Sequence, residues 1–421
     1  MTFATASAHE VVPTIGDMRV VDDRIVFDLR ANIESFVAGV DLSDIADTDL
    51  SSQAATYDNL RAMDPAALEA QFTAFWPQMA TAITLHADDL ALTPQLDSVN
   101  VPPVGNPDLL RTSDVTFSAP LPDGASTVEF GWSASLGAIV LRQMDVTEPY
   151  DGYLDNGATS GPVALAGGDQ ASGWQTFVNY IPVGFDHILP KGLDHILFVL
   201  GLFFLAARAG PLILQVSLFT LAHTITLALA ALGYVSISGD IVEPLIAASI
   251  VFVAVENIFT KKVSRWRPFV IFGFGLLHGL GFASVLGEFG LPDSTFVAAL
   301  IGFNVGVEIG QLAVIAVMFL CVWEAIRVDR GANEVMQSYA IYGVLFAAAV
   351  ALIALNPPAI VAVLENPVWV FAGPLAAIFV LCTVSVAMRD RIDAYRKIVT
   401  IPASAAIAVV GAYWVVERVF L

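Results

Sequence analysis

Residues 184–208 read GFDHILPKGLDHILFVLGLFFLAAR. This stretch holds two short polar clusters, Asp186-His187 and Asp194-His195, and the second begins an apolar run that continues almost to the end of the stretch. Such a run is typical of a membrane helix. Ionisable side chains are costly at membrane depth and usually face a cavity, a partner or an ion. The stretch therefore predicts a membrane protein with metal or proton chemistry inside its helical part.

The composition extends this prediction to the whole chain. With 421 residues, a mean hydropathy of +0.71 and only 14% charged residues, the chain is too apolar for a soluble protein of this length. Up to Tyr180 it has 25 acidic residues, six arginines and no lysine, a net charge of −19, whereas the remainder has 15 acidic and 13 basic residues. We therefore expect an acidic soluble domain over residues 9–180 and a helical membrane domain over residues 181–421.

The acidic domain has the sequence pattern of a β-sandwich. Apolar and polar residues alternate in the runs 24–29, 80–85 and 126–132, which is the period of half-buried strands, and Pro, Gly and Asp cluster between such runs. We expect an all-β, sandwich-like fold with one helix at about residues 64–75. The sequence does not indicate a ligand for this domain. Its acidity disfavours nucleic acid and is typical of a solvated surface, although it would also attract cations.

Apolar segments of membrane-spanning character follow in the membrane domain. A helix needs about 20 residues to cross a bilayer, and most of the segments meet or approach that length. We therefore predict about eight transmembrane helices. The segments are residues 193–208, 212–232, 241–259, 268–287, 295–325, 338–355, 367–388 and 398–417.

The charges of the connecting loops predict the orientation in the membrane. Eleven of the 13 basic residues after Tyr180 fall in alternate loops, and the intervening loops carry acidic residues and no basic one. Loops rich in Lys and Arg face the cytoplasm in most membrane proteins. This pattern places the acidic domain and the C-terminus on the periplasmic side of a bacterial inner membrane.

The beginning of the chain resembles the end of a signal peptide. Residues 6–8 (ASA) have the small-x-small pattern that precedes a cleavage site, so residues 1–8 are interpreted as a residual signal-peptide-like segment. Cleavage there would make His9 the mature N-terminus, where its amine and imidazole could bind a metal. The two cysteines, Cys321 and Cys382, lie in predicted spans. We expect them to be packed apolar side chains without a disulfide.

The strongest candidates for a functional role are His187 and the pair Asp194-His195. Pro190 and Gly192 should interrupt a helix. This break places His187 on an interfacial segment and Asp194-His195 on the first turns of the first span. Asp194 also has a purely structural explanation, because an acidic side chain at a helix N-terminus interacts favourably with the helix dipole. That explanation does not cover His195, and an imidazole beside a carboxylate is a frequent arrangement at metal sites.

Further polar residues lie in the later spans. His223 lies among threonines in the second span, and His278 lies between glycines in the fourth, where close packing leaves room for the ring to point inward. In the fifth span Asn304, Glu308 and Gln311 recur at i, i+4 and i+7, which is one stripe of a helix. Hydrogen bonding between helices is the alternative explanation for these residues and for two more in the third span, Ser249 and Glu256.

The combination of side chains indicates which ions would bind. Imidazole suits nickel, cobalt, zinc and copper, whereas calcium and magnesium prefer oxygen ligands. Copper(I) is disfavoured because cysteine and methionine do not cluster. In a mechanistic hypothesis, an outer ligand pair from the first span passes the ion to an inner histidine pair, and a glutamate balances charge or carries a proton. The predicted metal-binding residues are, in that order, Asp194 and His195, His223 and His278, and Glu308, and His187 is a further candidate.

Several separate motifs resemble the HupE/UreJ family of membrane proteins. They are residues 187–198 (HILPKGLDHILF), 219–227 (FTLAHTITL), 278–283 (HGLGFA), 303–311 (FNVGVEIGQ) and 413–418 (YWVVER). The resemblance implies a nickel or cobalt permease connected with metal supply to hydrogenase and urease. It implicates His187, Asp194 and His195 in binding the ion, with His223, His278 and Glu308 as further candidates.

The chain departs from the family pattern in three places. The better-studied members have His-Pro-x-x-Gly-x-Asp-His, whereas here Pro190 follows His187 by three residues and one extra residue separates His187 from Asp194. Residues 338–388 are interpreted as a two-helix insertion before the family-like ending. The acidic domain is an addition.

Three functions are compatible with these residues. The leading interpretation is a secondary permease that moves a divalent transition metal ion inward, with nickel or cobalt as the substrate and without a Walker-type nucleotide loop. An intramembrane zinc-dependent hydrolase would use the same residues, with three histidines on zinc and a carboxylate activating water. A non-catalytic accessory subunit would use the polar stripes only to hold helices together. The expected partners are the lipid bilayer and the metal ion, and a homo-oligomer or a partner membrane complex is compatible with the sequence.

Overall fold

The computed structural model describes residues 11–43, 48, 51–105, 110–205, 207–235, 237–261, 264–281, 295–364, 366–391 and 393–420. These residues form two compact units, one ending at Thr176 and the other beginning at Phe177, with Thr295 and Phe296 grouped with the first. The signal-peptide-like segment 1–8 and His9 lie outside the described residues.

The first unit contains two β-sheets. Its strands are β1 Thr14–Val21, β2 Arg24–Ala31, β3 Ile83–Ala87, β4 Leu90–Ala91, β5 Gln95–Asn100, β6 Ser113–Pro120, β7 Thr127–Trp132, β8 Ile139–Gln143, β9 Asp151–Leu154 and β10 Thr159–Ala164. The larger sheet has the order β5-β6-β2-β1-β8-β9, and the smaller has the order β10-β7-β3-β4. Strands β1 and β8 are parallel, and the other neighbouring pairs are antiparallel.

The two sheets pack on each other through aromatic side chains. Phe27 of β2 stacks on Phe117 of β6 with ring centroids 4.7 Å apart, and Phe130 of β7 in the smaller sheet lies 5.1 Å from Phe27. All three rings are fully buried, because alternate residues of each strand face the same side of the sheet. Burying a side chain of this size contributes about 1.5–3 kcal/mol. The prediction of a β-rich domain with a sandwich-like core is confirmed.

Helices complete this unit, and the sequence predicts one of them. The predicted helix at residues 64–75 is observed as α3, Pro65–Met79, which Asp64 caps by accepting from the backbone N–H of Ala66 at 3.0 Å. Two shorter helices, α1 Ile33–Ala38 and α2 Ala54–Arg61, were not predicted. Six and eight residues are too few to show a clear apolar period in the sequence, and packing against the core stabilises them.

The turn between β3 and β4 depends on one carboxylate. Asp88 accepts hydrogen bonds from the backbone N–H of Thr127 at 3.0 Å and from the hydroxyls of Ser126 and Thr127 at 2.9 Å each. The Ser126 hydroxyl, followed by the Thr127 hydroxyl and the backbone donors, holds the pKa of Asp88 below its ordinary value. Asp88 thereby ties the β3–β4 turn to the beginning of β7.

We expect Asp88→Asn to lower the thermal midpoint of the acidic domain at neutral pH. A lowered carboxyl pKa stabilises the fold at pH values above the unfolded pKa, about 4, and this contribution disappears as the pH falls through the folded value. The difference in thermal midpoint between the variant and the wild type should therefore disappear at acidic pH. Fluorescence of the buried Trp76 and Trp132 in the full-length protein measures the midpoint. The exposed neighbour Asp89 supplies the control, and an equal effect of Asp89→Asn would refute the assignment.

The second unit is helical. Its helices are α4 Gly173–Ile188, which begins just before the division between the units, α5 Leu193–Leu205, α6 Ala209–Ala231, α7 Gly239–Phe259, α8 Arg267–Gly281, α9 Phe296–Asp329, α10 Val335–Leu355, α11 Pro358–Leu364, α12 Val368–Ala387 and α13 Ile401–Phe420. A π-helical turn, Arg396–Thr400, leads into α13.

Among the described residues, six helices are long and apolar enough to cross a membrane, and the bent pair α4–α5 makes a seventh candidate. This agrees roughly with the predicted eight. The difference lies in the fourth predicted span, residues 268–287. Its described part is α8 with 15 residues, which is shorter than a bilayer requires, and residues 282–294 lie outside the described part of the chain.

The helix break predicted within residues 184–208 is present. Helix α4 ends at Ile188, α5 begins at Leu193, and their axes differ by 76°. Pro190 lies in the break, and a Cβ added at Gly192 would collide with the carbonyl oxygen of His187. The break therefore brings the end of α4 and the beginning of α5 close together, and each end carries a histidine.

Glycines allow two pairs of helices to approach closely. In α8, a Cβ added at Gly275 would lie 2.5 Å from the carbonyl oxygen of Phe219 in α6, and one at Gly279 would lie 2.5 Å from that of His223. In α9, glycines recur every four residues at 302, 306 and 310. A Cβ added at Gly302 or Gly306 would collide with the backbone of α4, and one added at Gly310 would collide with the side chain of Ile188 in α4. Such small-residue spacing is a common basis of membrane helix packing.

Two of the basic segments meet at one end of the bundle. Lys261, just after α7, lies 2.7 Å from Asp393, and Arg396 donates to the carbonyl oxygens of Asn257, Ile258 and Thr260 in and just after the last turn of α7. The Lys261 ammonium lowers the pKa of the Asp393 carboxyl. The loops before α8 and before α13, both assigned to the cytoplasm from sequence, thus share one end. The side of the membrane stays a prediction.

Candidate metal centre

Four histidines from four helices meet in the second unit. They are His187 at the end of α4, His195 at the beginning of α5, His223 in α6 and His278 in α8. The ring of His195 lies between the other three, with centroid distances of 4.9 Å to His187, 5.8 Å to His223 and 5.1 Å to His278. The α4–α5 break supplies the first two rings, and the close α6–α8 contact supplies the others.

The potential ligand atoms form two overlapping groups. One comprises His187, His195 and His223, the other comprises Asp194, His195 and His278, and within each group the ligand atoms lie within 4.8 Å of one another. His195, His223 and His278 are buried, and His187 and Asp194 are partly accessible. His195 belongs to both groups. The structure therefore brings together five of the six residues that the sequence predicts as metal ligands.

Each of the three buried rings is hydrogen-bonded through one nitrogen. Nδ1 of His195 lies 3.1 Å from Oδ1 of Asp194, and Nδ1 of His223 lies 3.2 Å from Oδ1 of Asn304 in α9. Nε2 of His278 lies 3.0 Å from the hydroxyl oxygen of Ser249 in α7. Residues outside the ring cluster thus hold all three imidazoles in place.

The other nitrogen of each buried ring has no hydrogen-bond partner. These atoms are Nε2 of His195, Nε2 of His223 and Nδ1 of His278. A buried polar atom without a partner costs about 1–3 kcal/mol, so native proteins rarely leave three of them in one place without a ligand. Neutral imidazole nitrogens of this kind are the usual ligands of transition metals.

The arrangement is close to what such an ion requires. Metal–imidazole bonds of about 2.0–2.1 Å place tetrahedral ligand nitrogens about 3.3–3.5 Å apart. The observed limit of 4.8 Å within each group exceeds this separation by a little more than 1 Å, which small rotations of the rings can provide. The donor set of imidazoles with one carboxylate fits nickel, cobalt or zinc better than calcium or magnesium.

Aromatic rings form an apolar wall beside the histidines. Phe219 lies 5.8 Å from His195 and 5.0 Å from His278, and Phe198 lies 5.1 Å from His278. Both phenylalanines are fully buried. Low polarity around the site strengthens the interaction between an ion and its ligands.

Glu308 belongs to neither of the two ligand groups. Its Oε1 accepts a hydrogen bond from the hydroxyl of Ser217 in α6. Gln311 lies one turn further along α9 and accepts a hydrogen bond from the hydroxyl of Thr220, also in α6, at 3.2 Å. The two side chains therefore take part in contacts between α6 and α9. Glu308 stays a prediction as a metal-site residue. Glu256, the polar residue noted near the end of the third predicted span, pairs with the buried Arg267 at 2.6 Å.

The roles of Ser249 and Asn304 were not assigned from sequence. Both residues stand out there as polar positions in apolar helices, but nothing in the sequence indicates which histidine each one contacts. The glycine stripe of α9 at 302, 306 and 310 was also missed, and its spacing of four residues was the available signal.

A bundle of membrane-spanning helices with three buried histidines, beside a partly accessible histidine and aspartate, defines the class, an integral membrane protein with a candidate intramembrane metal site. Comparison with known protein families found a similarity. Residues 166–356 match the family described as HupE / UreJ protein. The match includes all four histidines and Asp194. It also includes α10, the first helix of the predicted insertion 338–388.

Comparison with the curated proteins and with the solved structures found no match. The family match accordingly supports a membrane role related to metal transport.

Proposed function

We propose that the protein is a membrane permease for a divalent transition metal ion, with nickel or cobalt as the substrate. The observation that supports this proposal most directly is that His195, His223 and His278 each have a buried ring nitrogen without a hydrogen-bond partner and belong to groups whose potential ligand atoms lie within 4.8 Å of one another. In this proposal His187, Asp194, His195, His223 and His278 bind the ion in transit.

Two overlapping ligand groups favour transport over permanent retention. A structural metal site surrounds its ion with one closed set of four ligands. Here His195 is shared, so an ion can exchange the ligands of one group for those of the other while it stays bound to the same ring. Partial accessibility of His187 and Asp194 is consistent with entry of the ion at that edge of the cluster.

The test is metal flux through the purified full-length protein in phospholipid vesicles that contain a metal-responsive dye. With an inwardly directed ion gradient, Ni²⁺ and Co²⁺ should enter faster than in protein-free vesicles, and Ca²⁺ and Mg²⁺ should not. Elemental analysis of the same preparation measures retention after dialysis.

The outcomes separate the three interpretations of the sequence. Flux of Ni²⁺ or Co²⁺ with weak, exchangeable binding supports the permease. One tightly retained zinc ion per chain without flux would instead identify a metalloenzyme, because a catalytic zinc site holds its ion with three protein ligands. An absence of binding to any of these ions would leave an accessory role and would refute the proposal.

A further inference from the structure

The hydrogen bonds of Ser249 fix the position of the proton on His278. The Ser249 hydroxyl oxygen lies 2.6 Å from the carbonyl oxygen of Ile246 and 3.0 Å from Nε2 of His278. Two oxygens come this close only with a hydrogen between them, and a carbonyl cannot supply one. The single hydroxyl proton of Ser249 is therefore used for Ile246. The serine can only accept from His278, so Nε2 carries the proton and the lone pair is on Nδ1.

Asn304 fixes the proton on His223 in the same way. Its amide nitrogen donates to the carbonyl oxygen of Leu300 at 2.8 Å, which orients the side chain, and its Oδ1 lies 3.2 Å from Nδ1 of His223. An amide oxygen only accepts hydrogen bonds. Nδ1 of His223 therefore carries the proton, and the lone pair is on Nε2.

In both rings the nitrogen left with the lone pair is the nitrogen that lacks a partner. These atoms are Nδ1 of His278 and Nε2 of His223, and both are buried. A metal ion binds only the nitrogen that carries the lone pair. In the metal-free protein, the two hydrogen bonds thus leave a different ring nitrogen available to an ion in each histidine, Nδ1 in His278 and Nε2 in His223.

We propose that Ser249 and Asn304 are positioning residues of the metal centre, which hold His278 and His223 as opposite tautomers, so that Nδ1 of His278 serves the ligand group of Asp194 and His195 and Nε2 of His223 serves the group of His187 and His195. The inference rests on the proposed function for the identity of the bound species. Its physical basis is that a correct tautomer spares the cost of moving a proton when the ion arrives. Groups that orient metal-bound histidines typically change metal affinity about 10–100-fold when removed.

Two measurements test the proposal. The first is ¹⁵N NMR of histidine-labelled, metal-free protein in lipid nanodiscs, which distinguishes the tautomers directly. His223 should be protonated on Nδ1 and His278 on Nε2, whereas Ser249→Ala and Asn304→Leu should each give mixed tautomers at the affected ring. The opposite tautomers in the wild type, or unchanged tautomers in the variants, would overturn the proposal.

The second measurement is Co²⁺ binding followed by its visible absorption. Ser249→Ala and Asn304→Leu should bind Co²⁺ about 10–100-fold more weakly with an altered spectrum. Ser249→Thr should restore both, because threonine keeps the hydroxyl and can also bond to the preceding turn. The matched controls are Ser404→Ala and Asn257→Leu, which remove a buried hydroxyl and a buried amide that bond to each other and, within the described part of the chain, have no hydrogen bond to a histidine.

The two proposals fail in different ways. Wild-type protein that binds no Co²⁺ or Ni²⁺ would refute the proposed function, and NMR would still decide the tautomers. Wild-type protein that binds Co²⁺, with equal affinity and an identical spectrum in Ser249→Ala and Asn304→Leu, would refute the positioning role alone.

Discussion

His195→Ala is expected to abolish binding and accumulation of nickel or cobalt. His195 belongs to both ligand groups, and its ring lies within about 6 Å of the other three. Loss of this one imidazole leaves only two ligands in either group, fewer than the three or four on which a transition metal site depends. We expect at least about a 100-fold loss of affinity, which is about 2.7 kcal/mol.

The change should leave the fold intact. Alanine removes the packing of the ring, which lowers the free energy of unfolding. It also removes the buried ring nitrogen that has no hydrogen-bond partner, which raises the free energy of unfolding and offsets that loss. Isothermal titration with Ni²⁺ and metal content of expressing cells measure the effect. His86→Ala, which removes a histidine from strand β3 of the acidic domain, is the matched control. Wild-type affinity in His195→Ala would remove this residue from the metal centre.

Gly279→Ala is expected to destabilise the helical unit and to weaken metal binding together. The added Cβ would lie 2.5 Å from the carbonyl oxygen of His223 and would also meet Thr226. The backbone of a packed helix cannot move aside as the end of a flexible side chain can, so α6 and α8 must separate. Overpacking of this kind costs about 1–3 kcal/mol. The separation also moves His223 and His278, one on each helix, away from each other.

A second glycine of the same helix provides the control. A Cβ added at Gly273 would meet nothing within 4 Å. Gly273→Ala should therefore be neutral or stabilising by up to about 1 kcal/mol, because alanine has the higher helix propensity. Denaturant titration in detergent micelles and Co²⁺ affinity measure the two effects. If both variants behave alike, close contact between α6 and α8 does not determine the geometry of the metal centre.

The acidic domain shows which features a sequence reveals and which it hides. Its alternating runs predicted strands β2 and β7 closely, because alternation is a local property of the chain. The ion pair between Glu34 and Arg111 was not predicted, since the two residues are far apart in sequence and resemble many exposed charges. The structure buries both with a separation of 2.6 Å, and burial raises the pKa of Glu34 in spite of the neighbouring guanidinium.

The membrane part shows the same division. Hydropathy predicted the helices, and Pro190 with Gly192 predicted the break between α4 and α5. The i, i+4, i+7 spacing correctly placed Asn304, Glu308 and Gln311 on one helix, but it treated them as one functional stripe. In the structure they have separate contacts with α6: Asn304 with His223, Glu308 with Ser217 and Gln311 with Thr220.

The class of this protein can be predicted from its amino-acid sequence, because composition, charge asymmetry and hydrophobic period are properties of segments and require no knowledge of their neighbours. The sequence also indicates which metal ions the side chains can bind, since few ions suit a set of imidazoles with one carboxylate. The folded protein is needed to see which side chains meet and which ring nitrogen faces inward. Those features depend on contacts between helices that are distant in the chain, 29 residues for Ser249 with His278 and 81 for Asn304 with His223. There a single glycine sets the distance and a single hydroxyl proton sets the tautomer.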